Sequence, residues 1–431
     1  MTNSYEAVLD PGKSWSSDYT PIGVAGSNSG TLEISSIPPL NLGERLKYLM
    51  EYPHGCIEQT TSAVFPQLYL TDLMNLDDKK KKLIDMNIKA GISRLKNFQT
   101  SGGGLSYWPG ENYPSEWGSN YAGHFLLEAE LKGYTLPAGL IDNWKKFQRE
   151  QAINWSPRYD KYYYYSDDLI QAYRLYTLAL AKSPELGAMN RLREVKTLST
   201  AAKWRLAAAY QLAGQGEIAK QIVNGLTTTI PAYTELSYSY GNSDRDEAMI
   251  LETMSIMGGA MRVKAAPVAK LVSDELNKNN YWMSTQATAY SLIALCKFSG
   301  GDKTTAGVNC DYTINKIAGA VNGKETVSSI DMKVNSTKAG KVTVKNNGSN
   351  TLFVRMILAG VPPAGKETDA ESNLGMTVQF KTMNGQDLDP AKIEQGTDFL
   401  ASITIYNPGV RGEYREMALT QIFPSGWEIR N

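Results

Sequence analysis

The sequence predicts a multidomain α + all-β protein in which a long helical region lies between two β regions. Apolar residues recur every three to four positions through the middle of the chain and every second position after Gly300 and Gly301. The 431 residues are enough for two or three domains with their own cores. The composition, 42% hydrophobic and 20% charged, is typical of folded globular chains. The change of period after Gly301 therefore marks a domain boundary.

Residues 1–40 are rich in Ser, Gly, Thr and Pro and contain one short alternating stretch, Thr31–Ile34. This pattern predicts a strand and a linker. Met1 is followed directly by polar residues, without a signal peptide, and the chain ends in a strand-like or loop-like segment, so we expect a piece of a larger protein. No apolar stretch approaches the length of a membrane span, and we expect membrane association only through other parts of that protein.

Residues 41–305 have helical periodicity, for example at Ile84, Ile88, Ile92 and Leu95. Several Ala- and Leu-rich helices follow an aromatic or a small polar residue, and the Ser or Asp before each helix is a natural N-cap. These starts are Trp117–Ser119, Tyr165–Asp167, Ser243–Asp244 and Trp282–Thr285. Repeated helix pairs of this kind indicate either an open solenoid or a closed ring of helical hairpins.

Residues 306–431 alternate with period two, and turn sequences separate the alternating stretches. We predict one small β domain and part of a second. The clearest predicted strands are Val342–Val344, Leu352–Val354, Met376–Phe380 and Phe399–Tyr406, and the turns are Asn346–Gly348 and Asn384–Gly385.

Charge and cysteine content exclude several classes of function. Lys plus Arg equals Asp plus Glu, at 44 each, which argues against nucleic-acid binding. The three cysteines match neither a disulfide framework nor a metal-site spacing, and nothing indicates a metal or an organic cofactor. Cys296 lies in an apolar run and is predicted to be a packed core thiol. A Cys296–Cys310 bridge stays open, without support.

The stretch Tyr52–Ser62 carries the most specific chemistry of the chain. Cys56 and Gln59 are three residues apart at the start of a predicted helix, which places their side chains on one face. A thiolate held against a primary amide can displace ammonia and leave an internal thioester. Gly55 permits an unusual backbone conformation beside Cys56, and a helix N-terminus favours the thiolate.

A thioester is more reactive than an amide and must be shielded from water. The local candidates for the shield are Tyr52, Phe65 and Tyr69. A short Cys-x-Glu-Gln match also occurs by chance, and a lone buried cysteine near a helix start usually belongs to a core. The motif alone therefore does not decide between a thioester and a packed thiol.

The residues around the motif favour a thioester over a packed thiol. Tyr-Pro-x-Gly-Cys-x-Glu-Gln-Thr-Thr-Ser resembles the thioester motif of bacterial alpha-2-macroglobulins, in which Leu is common where this chain has Ile57. The resemblance covers roughly residues 40–300. Further segments similar to that family are Gly103–Gly110 with Trp117, His124–Ala129, Trp204–Tyr210 and Trp282–Ala289.

The resemblance implies an α/α toroid, the thioester domain, inserted into a CUB-like β-sandwich and followed by a macroglobulin-like β-sandwich. The implied domains are 1–40 and 306–372 for the two parts of the CUB-like domain, 41–305 for the toroid, and 373–431 for the last domain, which we expect to be truncated. Cys56 and Gln59 would form the thioester, supported by Tyr52, His54, Gly55 and Glu58.

The resemblance also implies a function without catalytic residues. The parent protein would be a monomeric, broad-spectrum protease inhibitor of the periplasm or cell surface, not an enzyme, that captures target proteases covalently through their lysine amines. Some complement relatives use a histidine to redirect the thioester to hydroxyls, but this chain has only His54 and His124. His124 suits a packing role, so we expect direct attack by lysine.

The chain lacks the family's protease bait segment. We therefore expect that this piece cannot trap a protease by itself, and that its thioester is hydrolysed when shielding groups from elsewhere are missing.

Two other classes of function stay open. Helical toroids also host carbohydrate-active enzymes, and Asp167 and Asp168 beside Tyr162–Tyr165 could form a sugar site, although Asp at a helix start is more often a cap. Trp204–Leu226 resembles a tetratricopeptide unit and suggests an interaction scaffold, but the unit does not repeat with a regular period.

Overall fold

The computed structural model describes residues 1–36, 52–73, 76–157, 167–235, 239–277, 283–300, 307–334, 338–363, 371, 374–409, 414 and 417–429. Tyr162–Tyr165 and Trp282, both used in the sequence analysis, lie outside these residues. The chain forms two compact units, Met1–Val361 and Pro362–Asn431. Within the described residues, no helix combines the length and the apolar character that crossing a membrane requires.

A β-sandwich in the first unit combines strands from before and after the helical region. One sheet has the order β1-β8-β3-β6 and the other β2-β7-β4-β5, and all paired strands are antiparallel. The strands are β1 Thr2–Leu9, β2 Ser14–Tyr19, β3 Ser29–Ser35, β4 Asn309–Ile314, β5 Ile317–Asn322, β6 Val327–Met332, β7 Gly340–Asn346 and β8 Leu352–Ala359.

The sandwich core is built by the inward positions of these strands, with Leu32 and Ile34 of β3 meeting Val344 of β7 and Val354 of β8. The prediction of a single strand within residues 1–40 was incomplete. β1 and β2 alternate between exposed and partly buried positions, with Tyr5, Ala7 and Trp15 packed against the core, but polar residues at many of the other positions weaken the apolar pattern. Their pairing with β8 and β7 makes them strands.

The helical region consists of inner and outer helices. The inner helices are α1 Ile57–Val64, α4 Glu116–Leu131, α6 Asp167–Leu180, α8 Thr200–Leu212, α10 Ser243–Met257 and α12 Thr285–Gly300. The others are α2 Leu70–Leu73, α3 Asp78–Lys96, α5 Leu140–Asn154, α7 Leu186–Arg193, α9 Gly216–Val223 and α11 Gly259–Asn277.

Each inner helix packs against the next inner helix along the chain, and α12 packs against α1. This contact closes the ring, so the helices form an α/α toroid and not an open solenoid. The inner helices are buried almost all round, whereas α3 buries only the stripe that contains Ile84, Ile88, Ile92 and Leu95. The fold class predicted from the sequence is confirmed.

The second unit contributes one antiparallel strand pair among its described residues. β9 (Gly375–Thr382) and β10 (Phe399–Tyr406) pair along their whole length. Trp427 packs against Phe399, with ring centroids 4.8 Å apart. Both strands were predicted from their alternation.

Candidate functional site

Cys56 is the N-cap of α1, and Gln59 is the third residue of that helix. The two residues form a reciprocal capping box, in which the backbone N–H of Cys56 donates to Oε1 of Gln59 at 3.1 Å. The Cys56 side chain is 3% exposed, whereas Gln59 is exposed. The Gln59 carboxamide therefore lies against the backbone of Cys56 at the start of α1.

Gly55 is required by this arrangement for two reasons. Its φ of +77° lies in the left-handed region, which residues with a side chain rarely adopt. A Cβ at this position would lie 2.0 Å from Oε1 of Gln59. Any other residue would therefore push the carboxamide away from Cys56.

Arg94 of α3 holds the turn that precedes Cys56. Its guanidinium donates to the carbonyl of Gly55 at 2.8 Å and to Oγ1 of Thr60 at 3.2 Å. The Thr60 hydroxyl in turn donates to the carbonyl of His54 at 3.2 Å. The His54 side chain is exposed, and its Nδ1 lies 2.9 Å from the carbonyl of Tyr52, so its described contact is local to the turn.

Two tyrosines that the sequence analysis did not single out lie near the start of α1. The backbone carbonyl of Tyr107 accepts the N–H of Ile57, the residue after Cys56, at 3.0 Å. The rings of Tyr107 and Tyr240 stack with centroids 5.9 Å apart. Tyr107 lies within the Gly103–Gly110 segment that resembles the family, which was a usable signal, whereas nothing in the local sequence indicated Tyr240.

The three candidates for the local shield differ in exposure. Tyr52 is 64% exposed. Phe65 and Tyr69 are buried in the core of the toroid.

Glu58 of the motif points into the toroid and is 8% exposed. Burial raises the pKa of its carboxyl to about 7, although the Arg245 guanidinium and a hydrogen bond with Thr285 act in the opposite direction. Arg245 and Thr285 belong to the first turns of α10 and α12. The motif therefore lies at the end of the ring where inner helices begin, and Glu58 connects three of them.

A second polar cluster lies inside the ring. His124, Glu128 and Glu252 present ligand atoms within 4.8 Å of one another, a set that could hold a metal ion. The ammonium of Lys297, however, pairs with Glu128 and lies 2.7 Å from Glu252. Arg205 adds a second cation, 2.8 Å from Glu252. Two carboxylates thus face two cations, and the cluster is neutralised by the chain itself.

His124 belongs to this cluster as a buried, neutral ring. Burial lowers the pKa of His124, and its two nitrogens lie 3.0 and 3.2 Å from the hydroxyls of Tyr173 and Tyr176. The expected packing role of His124 agrees with this environment.

The acids considered for a carbohydrate enzyme have structural partners. Asp168 accepts from the backbone N–H of Ser199 at 2.6 Å, and Asp167 accepts from the indole N–H of Trp155 at 3.1 Å. The aromatic part of that predicted site, Tyr162–Tyr165, lies outside the described residues. Trp204–Leu226 forms one helical pair of the toroid, α8 and α9.

The chain is similar in sequence to curated bacterial proteins named alpha-2-macroglobulin. The protein of Escherichia coli K12 is 26% identical over 84% of this chain and 22% of its own length. That of Xylella fastidiosa Temecula1 is 22% identical over 94% of this chain and 25% of its own length. This chain thus spans about a quarter of the curated relatives it matches. No protein-family model matches the chain.

The fold of this chain is similar to that of solved bacterial alpha-2-macroglobulin structures. Native E. coli alpha-2-macroglobulin, from domain MG7 to the C-terminus, covers 94% of this chain with a TM-score of 0.66 and 23% identity, over 64% of that chain. Salmonella alpha-2-macroglobulin reacted with methylamine covers 94% with a TM-score of 0.68 and 24% identity, over 26% of that chain. The resemblance inferred from the motifs is confirmed, because the chain is similar in sequence and in fold to bacterial alpha-2-macroglobulins.

Proposed function

We propose that this chain is the thioester-bearing part of a protease inhibitor, and that Cys56 and Gln59 form an internal thioester. The observation that supports this most strongly is the pairing of the two side chains at the start of α1. Cys56 is hydrogen-bonded to the Gln59 carboxamide through its own backbone N–H. Gly55 leaves room for that carboxamide and for no side chain of its own.

The chemistry has two steps. In the first, Sγ of Cys56 attacks the carboxamide carbon of Gln59, the C–N bond breaks, and the nitrogen leaves as ammonia with the thiol proton. In the second, a lysine amine of a protease attacks the same carbon, the C–S bond breaks, and the Gln59 acyl group passes to the lysine. The Cys56 thiol is released. Neither step requires a metal or a cofactor.

The proposed partners are target proteases that react through surface lysines. Structures of relatives include the Salmonella protein reacted with methylamine and the E. coli protein activated by porcine elastase, which supports amines and proteases as partners. Lysine would attack directly, because His124 is hydrogen-bonded within the toroid. Glycerol should therefore label Gln59 far less than methylamine does.

The rest of the proposal concerns the parent protein. We propose a monomeric inhibitor of the periplasm or cell surface. Within this chain, residues 1–40 and 306–372 would form the CUB-like domain, 41–305 the thioester domain, and 373–431 part of a macroglobulin-like domain. Tyr52, His54, Gly55 and Glu58 would support the thioester.

The test is intact mass and peptide mapping before and after methylamine treatment. An intact thioester lowers the mass by one ammonia, methylamine then adds at Gln59, and a hydrolysed thioester leaves glutamate at position 59. Cys56→Ala should abolish all three signatures, whereas Cys296→Ala should keep them. Unmodified glutamine at position 59 beside a free Cys56, with no methylamine incorporation, would contradict the proposal.

A further inference from the structure

Two hydrogen bonds meet on the peptide group that joins Gly55 to Cys56. On one side, the Arg94 guanidinium donates to the carbonyl of Gly55 at 2.8 Å. On the other side, the N–H of Cys56 donates to Oε1 of Gln59 at 3.1 Å. Because a trans peptide group is planar, with its carbonyl and its N–H pointing in opposite directions, it connects the cation directly to the carboxamide oxygen.

The orientation of this peptide group is fixed from several sides. Gly55 has a φ of +77°, and its carbonyl faces α3. Nε of Arg94 also donates to Oγ1 of Thr60 at 3.2 Å, and the Thr60 hydroxyl donates to the carbonyl of His54 at 3.2 Å. Thr60 is fully buried. Because these bonds join α3, α1 and the turn before α1, the Cys56 N–H stays directed at the carboxamide oxygen.

That oxygen carries the negative charge in both steps of the proposed chemistry. Attack on the Gln59 carbonyl carbon, by Sγ or by an amine, moves the C=O electron pair onto Oε1. A hydrogen-bond donor already directed at the oxygen stabilises this charge, as in the oxyanion holes of acyl-transfer enzymes. The Cys56 N–H is such a donor. Since Sγ belongs to the same residue, an oxygen held by this N–H also keeps its carbon close to the sulfur.

Arg94 increases the strength of the donor. Hydrogen bonds that share a peptide group polarise one another, and a charged donor forms a stronger bond than a neutral one. A cation at the Gly55 carbonyl draws electron density to that oxygen and leaves the Cys56 N–H more positive. The guanidinium is held in place from its other side by the Phe98 ring, whose centroid lies 5.7 Å away.

We propose that the Cys56 N–H is the oxyanion donor of the thioester site and that Arg94 is a positioning residue that strengthens it through the Gly55 carbonyl, an inference that rests on the proposed function. The amine nitrogen bonds to the Gln59 carbonyl carbon, and the C=O electron pair moves to Oε1. The pair then returns, the C–S bond breaks, and the sulfur leaves as a thiolate. The amine loses its proton to solvent, and the thiolate takes one from solvent.

This role differs from a purely structural role of Arg94. If Arg94 only holds the turn, its loss loosens the site, and the thioesters that still form should react with amines at the unchanged rate or faster. If Arg94 strengthens the oxyanion donor, those thioesters should react more slowly. The rate per thioester therefore separates the two roles, whereas the yield of thioester does not.

The kinetic experiment compares Arg94→Met, Arg94→Gln and Arg94→Lys with the unchanged chain. Methionine keeps an unbranched side chain beside Phe98, glutamine keeps a neutral donor, and lysine keeps a charged one. Lys96→Met is the matched control, because Lys96 is an exposed cation in the same last turn of α3.

Denaturant unfolding verifies folding, and intact mass gives the fraction of each variant that carries the thioester. Thiol release from that fraction is then followed at several methylamine concentrations. We expect Arg94→Met to react about tenfold more slowly, Arg94→Gln to lose less, Arg94→Lys to recover part of the rate, and Lys96→Met to be unchanged.

A second measurement tests the oxyanion donor in the unchanged chain. Glutamine carrying a carbon-13 label in its side-chain carbonyl is incorporated, and the infrared spectrum of Cys56→Ala is subtracted to isolate the thioester carbonyl band. A hydrogen bond to Oε1 lowers the frequency of this band relative to a model thioester in an apolar solvent. We expect the lowered frequency in the unchanged chain and a shift back towards the model in Arg94→Met.

The outcomes separate this inference from the proposed function. If Arg94→Met carries the thioester and reacts at the unchanged rate or faster, the role of Arg94 is overturned while the thioester stands. If Arg94→Met does not fold or forms no thioester, an unchanged rate in Arg94→Gln overturns the effect of the charge. A band at the frequency of the model thioester in the unchanged chain overturns the oxyanion donor. If the unchanged chain has unmodified glutamine at position 59, the proposed function itself fails.

Discussion

The three cysteines of this chain differ in their surroundings and hardly at all in burial. Cys56 and Cys296 are each 3% exposed, and Cys310 is fully buried. Cys296 lies within α12 in the toroid core, and Cys310 lies in β4 in the sandwich core, where burial raises its pKa to about 11. Cys56 alone lies at a helix N-cap beside a carboxamide. Burial therefore does not distinguish the thiol that we propose to be reactive, whereas its polar neighbours do.

The open Cys296–Cys310 bridge is excluded by the same comparison. No disulfide joins the three cysteines, all of which the structure describes, and Cys296 and Cys310 belong to separate cores. The packed-thiol prediction for Cys296 is confirmed.

Changing the surroundings that set Cys56 apart from the other two cysteines should have its largest effect on the proposed thioester in Gly55→Ala. The new methyl group would overlap Oε1 of Gln59, and alanine at a φ of +77° adds about 1–2 kcal/mol of backbone strain. We expect the fraction of chains with thioester chemistry at position 59 to fall to background, as measured by intact mass and peptide mapping. Gly110→Ala is a suitable control, because Gly110 has a φ of +83° but no atom near a Cβ. Normal thioester yield in Gly55→Ala would contradict the steric argument.

An intermediate effect is expected from Glu58→Gln, as a change in how stability depends on pH. The pKa of Glu58 is raised from 4.5 to about 7, so its contribution to stability is complete below pH 4.5 and is lost as pH rises through 7. The shift corresponds to about 3 kcal/mol. Between pH 4.5 and pH 8, the free energy of unfolding of the unchanged chain should fall by about 3 kcal/mol more than that of Glu58→Gln. Denaturant unfolding at both pH values measures this difference. A difference that is constant across this range would show that Glu58 titrates normally.

The smallest effect is expected from Cys296→Ala. Removing a buried sulfur from the toroid core leaves a small cavity and should cost about 1 kcal/mol of unfolding free energy. Methylamine incorporation at Gln59 should stay at the unchanged level, because Cys296 takes no part in the proposed chemistry. Loss of methylamine incorporation in a folded Cys296→Ala chain would contradict the assignment of the chemistry to Cys56.

Local sequence predicted the helix starts less well than the helices themselves. Ser284 caps α12 as expected, because its hydroxyl oxygen accepts the backbone N–H of Ala287 at 3.1 Å. The prediction that Ser119 caps a helix was wrong, because α4 begins at Glu116 and is capped by Ser115. Ser119 instead lies inside α4, where its hydroxyl donates to the carbonyl of Leu105 at 3.1 Å. Ser119 therefore makes a tertiary hydrogen bond, whereas the local pattern predicted a helix cap.

The sequence by itself determined the alternation of β and α regions, the pairing of Cys56 with Gln59, and the need for Gly55. These depend on residues close in the chain, whose periodicity and spacing set local geometry. Only the tertiary structure decided that the helices close into a ring, that Glu58 faces Arg245, and that Tyr107, stacked with Tyr240, packs at the start of α1. Tyr240 lies far from Cys56 in the chain, and no local pattern indicates which side chains a closing ring brings together.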